Sequence, residues 1–192
     1  SVNSYNQPFA DFEFEGVCVG DNTVFTNTSI ISPDQIFSSV WYIGDSFFET
    51  EGSLSYIYYE IGDHEVSLSL YTDIGCKDSV TKIISIFDNP EADFSYIPSN
   101  LSVLNPQTEF INLSSDVSSL IWDFGDFSSS LDLEPIHTYN APGIYDVLLI
   151  VQDTNQCVDS INKKVIIYYE FIIHLPTGFT PNSDGDNDFF GP

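Results

Sequence analysis

Apolar and polar residues alternate with a period of two along most of this chain. Val66, Leu68 and Leu70 interleave with Glu65, Ser67 and Ser69, and Tyr145, Val147, Leu149 and Val151 share one face of a second segment. Such alternation predicts strands with one face buried and the other in water. Helical periodicity is nearly absent. Clusters of Gly, Pro, Asn, Asp and Ser cut the segments at short spacing, the pattern of an all-β sandwich. The absence of Met and the scarcity of Ala agree with this.

The pattern then repeats at a larger scale. Ala10-Asp11-Phe12 returns as Ala92-Asp93-Phe94, and Phe25-Thr26-Asn27-Thr28-Ser29 as Phe110-Ile111-Asn112-Leu113-Ser114. Trp41-Tyr42-Ile43-Gly44-Asp45 returns as Trp122-Asp123-Phe124-Gly125-Asp126, and Cys76-Lys77-Asp78-Ser79 as Cys157-Val158-Asp159-Ser160. The offset is 82 at the first match and 81 at the tryptophan and cysteine matches, the length of a whole small domain rather than of a solenoid unit. The reading is a lead-in (1–8), a first copy (9–88), a linker (89–90), a second copy (91–170) and a tail (171–192). The linker is short and its proline stiffens it, which predicts a fairly extended rod.

Within the second copy, Trp122-Asp123-Phe124-Gly125-Asp126, His137-Thr138-Tyr139 and Pro142-Gly143-Ile144-Tyr145-Asp146-Val147 resemble the PKD domain, a sandwich of immunoglobulin-like shape. Phe127 stands where that family's motif has its last glycine. The first copy is looser, with Tyr42 for the motif's Asp, Ser46 for the final Gly and His64 for the Tyr. The resemblance implies a spacer or adhesive module of a surface protein or secreted enzyme. It also implies that His137 packs and hydrogen-bonds in the core.

Composition narrows the partners. The chain has 29 acidic residues against four lysines and no arginine, a net charge of −25. Nothing here neutralises a run of phosphates, which excludes a conventional nucleic-acid binder, and no basic patch exists for anionic lipid. The longest apolar runs, Val165–Tyr169 and Phe171–Ile173, are too short to span a bilayer. Ser1–Asn6 has neither a basic residue nor an apolar core, so it is not a signal peptide. The acidic excess reads as a solvated surface.

The tail carries Pro176-Thr177-Gly178-Phe179-Thr180-Pro181-Asn182-Ser183-Asp184-Gly185-Asp186-Asn187-Asp188-Phe189. This resembles the opening of the type B, gliding-motility-associated C-terminal sorting domain of the Bacteroidetes type IX secretion system. Gly178 and Ser183 depart from that pattern. The resemblance implies export across the outer membrane to the cell surface or medium. It also implies recognition by the type IX machinery or by an outer-membrane β-barrel of the PorP/SprF family, through Phe179, Pro181, Asn182, Asp184, Asp188 and Phe189. Asn182, Asp184, Asp186 and Asp188 alternate around Gly185, a set of hard oxygen donors suited to Ca²⁺. It is not an EF-hand loop, since Asn187 replaces the turn glycine and no Glu follows.

An exported protein favours disulfides. The expected bridge is Cys18–Cys76 inside the first copy, with Cys157 a free, half-buried thiol. His64, His137 and His174 have no metal-ligand spacing. Asp45 and Asp126 each follow a glycine after the tryptophan strand and read as turn caps rather than general acids. No nucleophile–base arrangement, phosphate loop or paired-carboxylate cleft can be assembled, so no enzyme is expected. One asymmetry stands out: Leu148 and Ile150 replace Ser67 and Ser69, making that strand apolar on both faces. A cover from the tail or a partner is expected there. The sequence thus predicts a non-enzymatic stalk and anchoring region of an exported, gliding-type surface adhesin. The alternatives are a glycan- or protein-binding module, using Tyr56, Tyr58, Tyr59, Tyr168 and Tyr169, and an accessory region of a secreted hydrolase.

Overall fold

The computed structural model describes residues 7–30, 36–50, 52–73 and 75–170. Among them every regular element is a strand. The first copy contributes β1 (Phe12–Glu15), β2 (Asn22–Asn27), β3 (Ile36–Ile43), β4 (Ser46–Glu49), β5 (Leu54–Ile57), β6 (Gly62–Thr72) and β7 (Lys77–Ile86). The second contributes β8 (Phe94–Ile97), β9 (Leu101–Ser102), β10 (Gln107–Asn112), β11 (Ser119–Asp123), β12 (Ser129–Ser130), β13 (Ile136–Thr138), β14 (Gly143–Gln152) and β15 (Val158–Tyr168).

Each copy is a pair of sheets. In the first, the order β1-β2-β5 faces β4-β3-β6-β7. In the second, β13-β10-β8 faces β12-β11-β14-β15-β9. The two inner faces close separate cores. One gathers Phe12, Phe25, Trp41, Val66, Leu68 and Ile84, the other Phe94, Phe110, Trp122, Val147, Leu149 and Val165. Trp41 and Trp122 are fully buried, and each meets the aromatic ring of its copy's first strand edge-on. Phe12–Trp41 and Phe94–Trp122 both have centroids 5.1 Å apart.

The repeated words of the sequence are repeated devices. Asn27 and Asn112 accept a hydrogen bond from the backbone N–H of Ser29 and Ser114, each at 3.0 Å. That turn aims the serine hydroxyls across at the next strand, where Ser29 bonds the backbone of Asp11 and Ser114 that of Asp93. The carboxylates of Asp78 and Asp159 accept the N–H of Ala10 (2.7 Å) and Ala92 (2.8 Å), fixing where the chain enters each sandwich.

After β1 the chain crosses to the opposite sheet. Gly16 makes the crossing at φ 78°, where a Cβ would stand 2.4 Å from the carbonyl oxygen of Asn22. Cys18 then runs parallel to Phe87, just past the end of β7, with Val19 N–H on the Phe87 oxygen at 2.9 Å. In the second copy β9 repeats this crossing, pairing in parallel with Ile167 and Tyr168.

Leu148 and Ile150 do lie on the outer face of β14, opposite Asn162 and Ser160 of β15, while Ile150 also faces Ile121 of β11. They are half-buried.

Candidate functional site

Two places concentrate chemistry, the motif turn of the second copy and the joint between copies. In the turn, Trp122 and Phe124 point into the core while Asp123 points out and caps the N–H of Gly125 at 2.9 Å. Gly125 has φ 76°, and a Cβ there would fall 2.7 Å from the carbonyl oxygen of Asp146, so the β14 backbone passes too close for any side chain. Asp126 follows, accepting from the N–H of Ser128 at 3.1 Å and from the Ser128 hydroxyl. Its other oxygen meets Nε2 of His137 at 2.9 Å. His137 is stacked flat on Phe124, 4.2 Å between centroids, and edge-on to Tyr139.

Burial pushes the Asp126 carboxyl up, but the bonds from Ser128 and His137 outweigh it and hold the group below its ordinary value of 3.8. Tyr139 is pushed well above its usual range, first by burial and then by the nearby Asp126 charge, and its hydroxyl donates to the Phe124 carbonyl at 3.2 Å. Asp123, both oxygens of Asp126, His137 Nε2 and the Tyr139 hydroxyl are all engaged within the fold. The arrangement is a structural lock rather than a reacting centre. Asp45 occupies the corresponding turn of the first copy and is exposed.

At the joint, Asp88-Asn89-Pro90-Glu91 leads from the first copy to the second. Here the structure corrects the expected disulfide: Cys18 is bonded to Cys157, with Cα atoms 5.5 Å apart, and Cys76 is the free cysteine. The reason is strand length. Cys18 lies beside Phe87 at the end of β7, whereas Cys76 directly precedes its start. Ten extended residues span about 30 Å, several times the Cα separation that a disulfide allows. Cys157 directly precedes β15, at the end of the second copy that faces the joint. It is not a half-buried thiol but is almost wholly buried.

A cleft of about 440 Å³ opens beside this bridge, lined by Asp88, Asn89, Pro90, Asp116, Val117 and Asp153 among others. Its carboxylates are not free ligands as a set. Asp153 accepts the N–H groups of Asn155 (2.8 Å) and Cys157 (2.7 Å), and so holds the turn that presents the cysteine. Among the described residues no group of three or more His, Cys, Asp or Glu side chains is placed to hold a metal ion.

The other expected site residues fall differently. Phe179, Pro181, Asn182, Asp184, Asp188 and Phe189 of the sorting motif, the oxygen set with Asp186, and His174 lie outside the described residues. Tyr58 is core, in an edge-on pair with the half-buried Tyr56 at 4.8 Å, so neither is an exposed binding aromatic. Tyr59, Tyr168 and Tyr169 are exposed. His64 sits at a small cleft of about 260 Å³ with Tyr42, Asp63 and Glu65, its Nε2 2.9 Å from the Glu60 carbonyl.

Residues 89–167 match the family model of the PKD domain. A collagenase, ColA of Clostridium perfringens, is 24% identical over 140 residues, covering 71% of this chain and 12% of that protein. The chain therefore spans only a small part of the relative it matches. The PKD1 domain from the Vibrio cholerae metalloprotease PrtV is 27% identical, covering 42% of this chain and 98% of that one, at a TM-score of 0.38. The fibronectin(III)-like modules of Clostridium thermocellum CbhA are 14% identical, covering 88% of this chain and all of that one, at 0.49.

Proposed function

We propose that this chain is a non-catalytic stalk, two PKD-like sandwiches in tandem, within an exported cell-surface protein, and that its tail serves secretion or anchoring. The observation that carries the reading is the Cys18–Cys157 bridge. A disulfide between sandwiches persists in an oxidising compartment, and it adds a second covalent tie to a joint otherwise made by one short connection. The PKD domain matched by the second copy is a non-catalytic accessory module, typically extracellular. No helix among the described residues is long and apolar enough to cross a membrane. The strongly acidic surface suits a solvated spacer that does not adhere to its neighbours.

In this reading the tail is the start of a type B sorting domain. Phe179, Pro181, Asn182, Asp184, Asp188 and Phe189 contact the type IX machinery or a PorP/SprF-family β-barrel, and Asn182, Asp184, Asp186 and Asp188 take Ca²⁺. The test is deletion of residues 171–192 from the full-length protein in its own host, followed by surface labelling and native co-purification. Loss of surface display, together with loss of an integral β-barrel from the purified complex, is expected. Undiminished display sinks the sorting role.

A second reading is favoured by the likeness to a collagenase: the same stalk carrying a hydrolase domain. Hydrolytic activity of the full-length protein that survives deletion of the tail separates it from the adhesin reading.

A further inference from the structure

The bridge across the joint follows a rule that the first copy is built to repeat. Cys157 sits in a turn closed by Asp153: the Asp153 N–H donates to the Cys157 carbonyl at 3.0 Å, and the Cys157 N–H donates to the Asp153 carboxylate at 2.7 Å. Cys76 sits in the same turn, closed by Thr72. The Thr72 N–H donates to the Cys76 carbonyl at 2.9 Å, and the Cys76 N–H donates to the Thr72 hydroxyl at 2.9 Å. Two residues on, Asp159 and Asp78 hold the N–H of Ala92 and Ala10, the points where the chain enters each sandwich. Cys157 is therefore held beside the start of the second copy, where it meets Cys18 at the exit of the first. Cys76 is held in the same way beside the start of the first copy, and its sulfur is free.

We propose that Cys76 is the receiving half of a second interdomain disulfide. Its partner is a cysteine at the exit of another β-sandwich of this type, joined ahead of Phe9 and placed in that sandwich as Cys18 is in this one. The occupied equivalent at Cys157 identifies the partner's chemistry, and the Asp78 bond to Ala10 brings a preceding sandwich to the right end of the first copy. The series is directional and stops. Ser102 occupies in the second copy the place that Cys18 has in the first, running parallel to Tyr168 as Cys18 does to Phe87. A following domain would find no thiol there.

Bond formation removes one proton and one electron from each of the two thiols. An exchanging disulfide of a thiol-oxidase protein accepts both and leaves as a dithiol. The Cys18–Cys157 bridge needs an oxidant of the same class, so the inference rests on the exported-stalk reading to that extent.

The test is a thiol map of the full-length protein as secreted by its host. Free thiols are blocked with N-ethylmaleimide, the protein is digested without reduction, and linked peptides are sequenced by mass spectrometry. The expected result is a Cys76 peptide joined to a cysteine ahead of Ser1, with exactly that cysteine gaining one alkylated thiol per chain in the Cys76→Ser variant. Alkylated Cys76 beside an intact Cys18–Cys157 bridge overturns this inference and leaves the stalk reading standing. Cys76 joined to Cys76 of a second chain overturns it as well. Alkylation of Cys18, Cys76 and Cys157 together overturns both.

Discussion

Asp126 and His137 show how a motif residue that looks catalytic is used up by folding. The carboxylate caps a turn, receives a hydroxyl and meets an imidazole stacked on Phe124. Because its folded pKa lies below 3.8, its contribution to stability is complete above that value and is lost as pH falls through the depressed one. The Asp126→Asn variant should lose about 1.5–3 kcal/mol at neutral pH, the scale of hydrogen bonds to a charged group. Denaturant melts of both proteins down to pH 2 should show the gap closing in acid, and a constant gap contradicts this account. Next to it, Phe127 is fully exposed at φ 70°, in the place of the motif's glycine. Left-handed backbone costs a non-glycine residue ~1–2 kcal/mol, and glycine's extra freedom in the unfolded chain returns part of that. Phe127→Gly should therefore raise stability by up to about 1 kcal/mol, read as a thermal midpoint a few degrees higher. The structural character of Asp126 and His137 was legible in the sequence because the motif occurs as a unit. The core position of Tyr58 was not, because the period-two pattern of Tyr56 and Tyr58 does not say which sheet face is inward.

Strands and their connections were legible wherever alternation was clean. Tyr145, Val147, Leu149 and Val151 share the inner face of β14 as the pattern predicts. What alternation does not reveal is how first and last strands are clipped together. Lys82 and Lys163, half of all the lysines, do the same job in each copy. Lys82 Nζ lies 2.7 Å from Asp11 and Lys163 Nζ 2.5 Å from Asp93. Each also bonds the backbone carbonyl of the next residue, Phe12 or Phe94, and sits over its ring. The lysine beside each aspartate holds that carboxyl below the usual range. The turns after the tryptophan strands look alike in sequence but differ in clearance. Gly125 has the β14 backbone against it, while Gly44, at φ 55°, has open space. Gly125→Ala should cost at least about 2 kcal/mol, and Gly44→Ala only the backbone penalty of about 1 kcal/mol. Paired thermal melts decide it, and equal losses would contradict the close approach.

At the scale of the whole molecule, the repeat divided the chain, and the short connection at Pro90 was visible in it. The staple is not legible from the count of cysteines per copy: two in the first copy suggest a bridge within it, but β7 separates them by its full length. The useful signal was the repeat itself, since Cys76 and Cys157 occupy one position and only a cysteine at the far end of a sandwich can reach the next. That bridge decides what happens when the chain is pulled from its two ends. Tension passes from residue 18 straight to residue 157, 139 positions further on, so the stretch between them, which holds nearly all of both cores, is off the load path. Fully extended, that hidden stretch is worth roughly 480 Å at ~3.5 Å per residue. Single-molecule extension should therefore release only the outer strands β1 and β15 while the bridge stands. The long contour gain should come only after reductant is added. A stalk wired in this way gives up its first and last strands under load, but the stretch between residues 18 and 157 cannot lengthen for as long as one sulfur–sulfur bond survives.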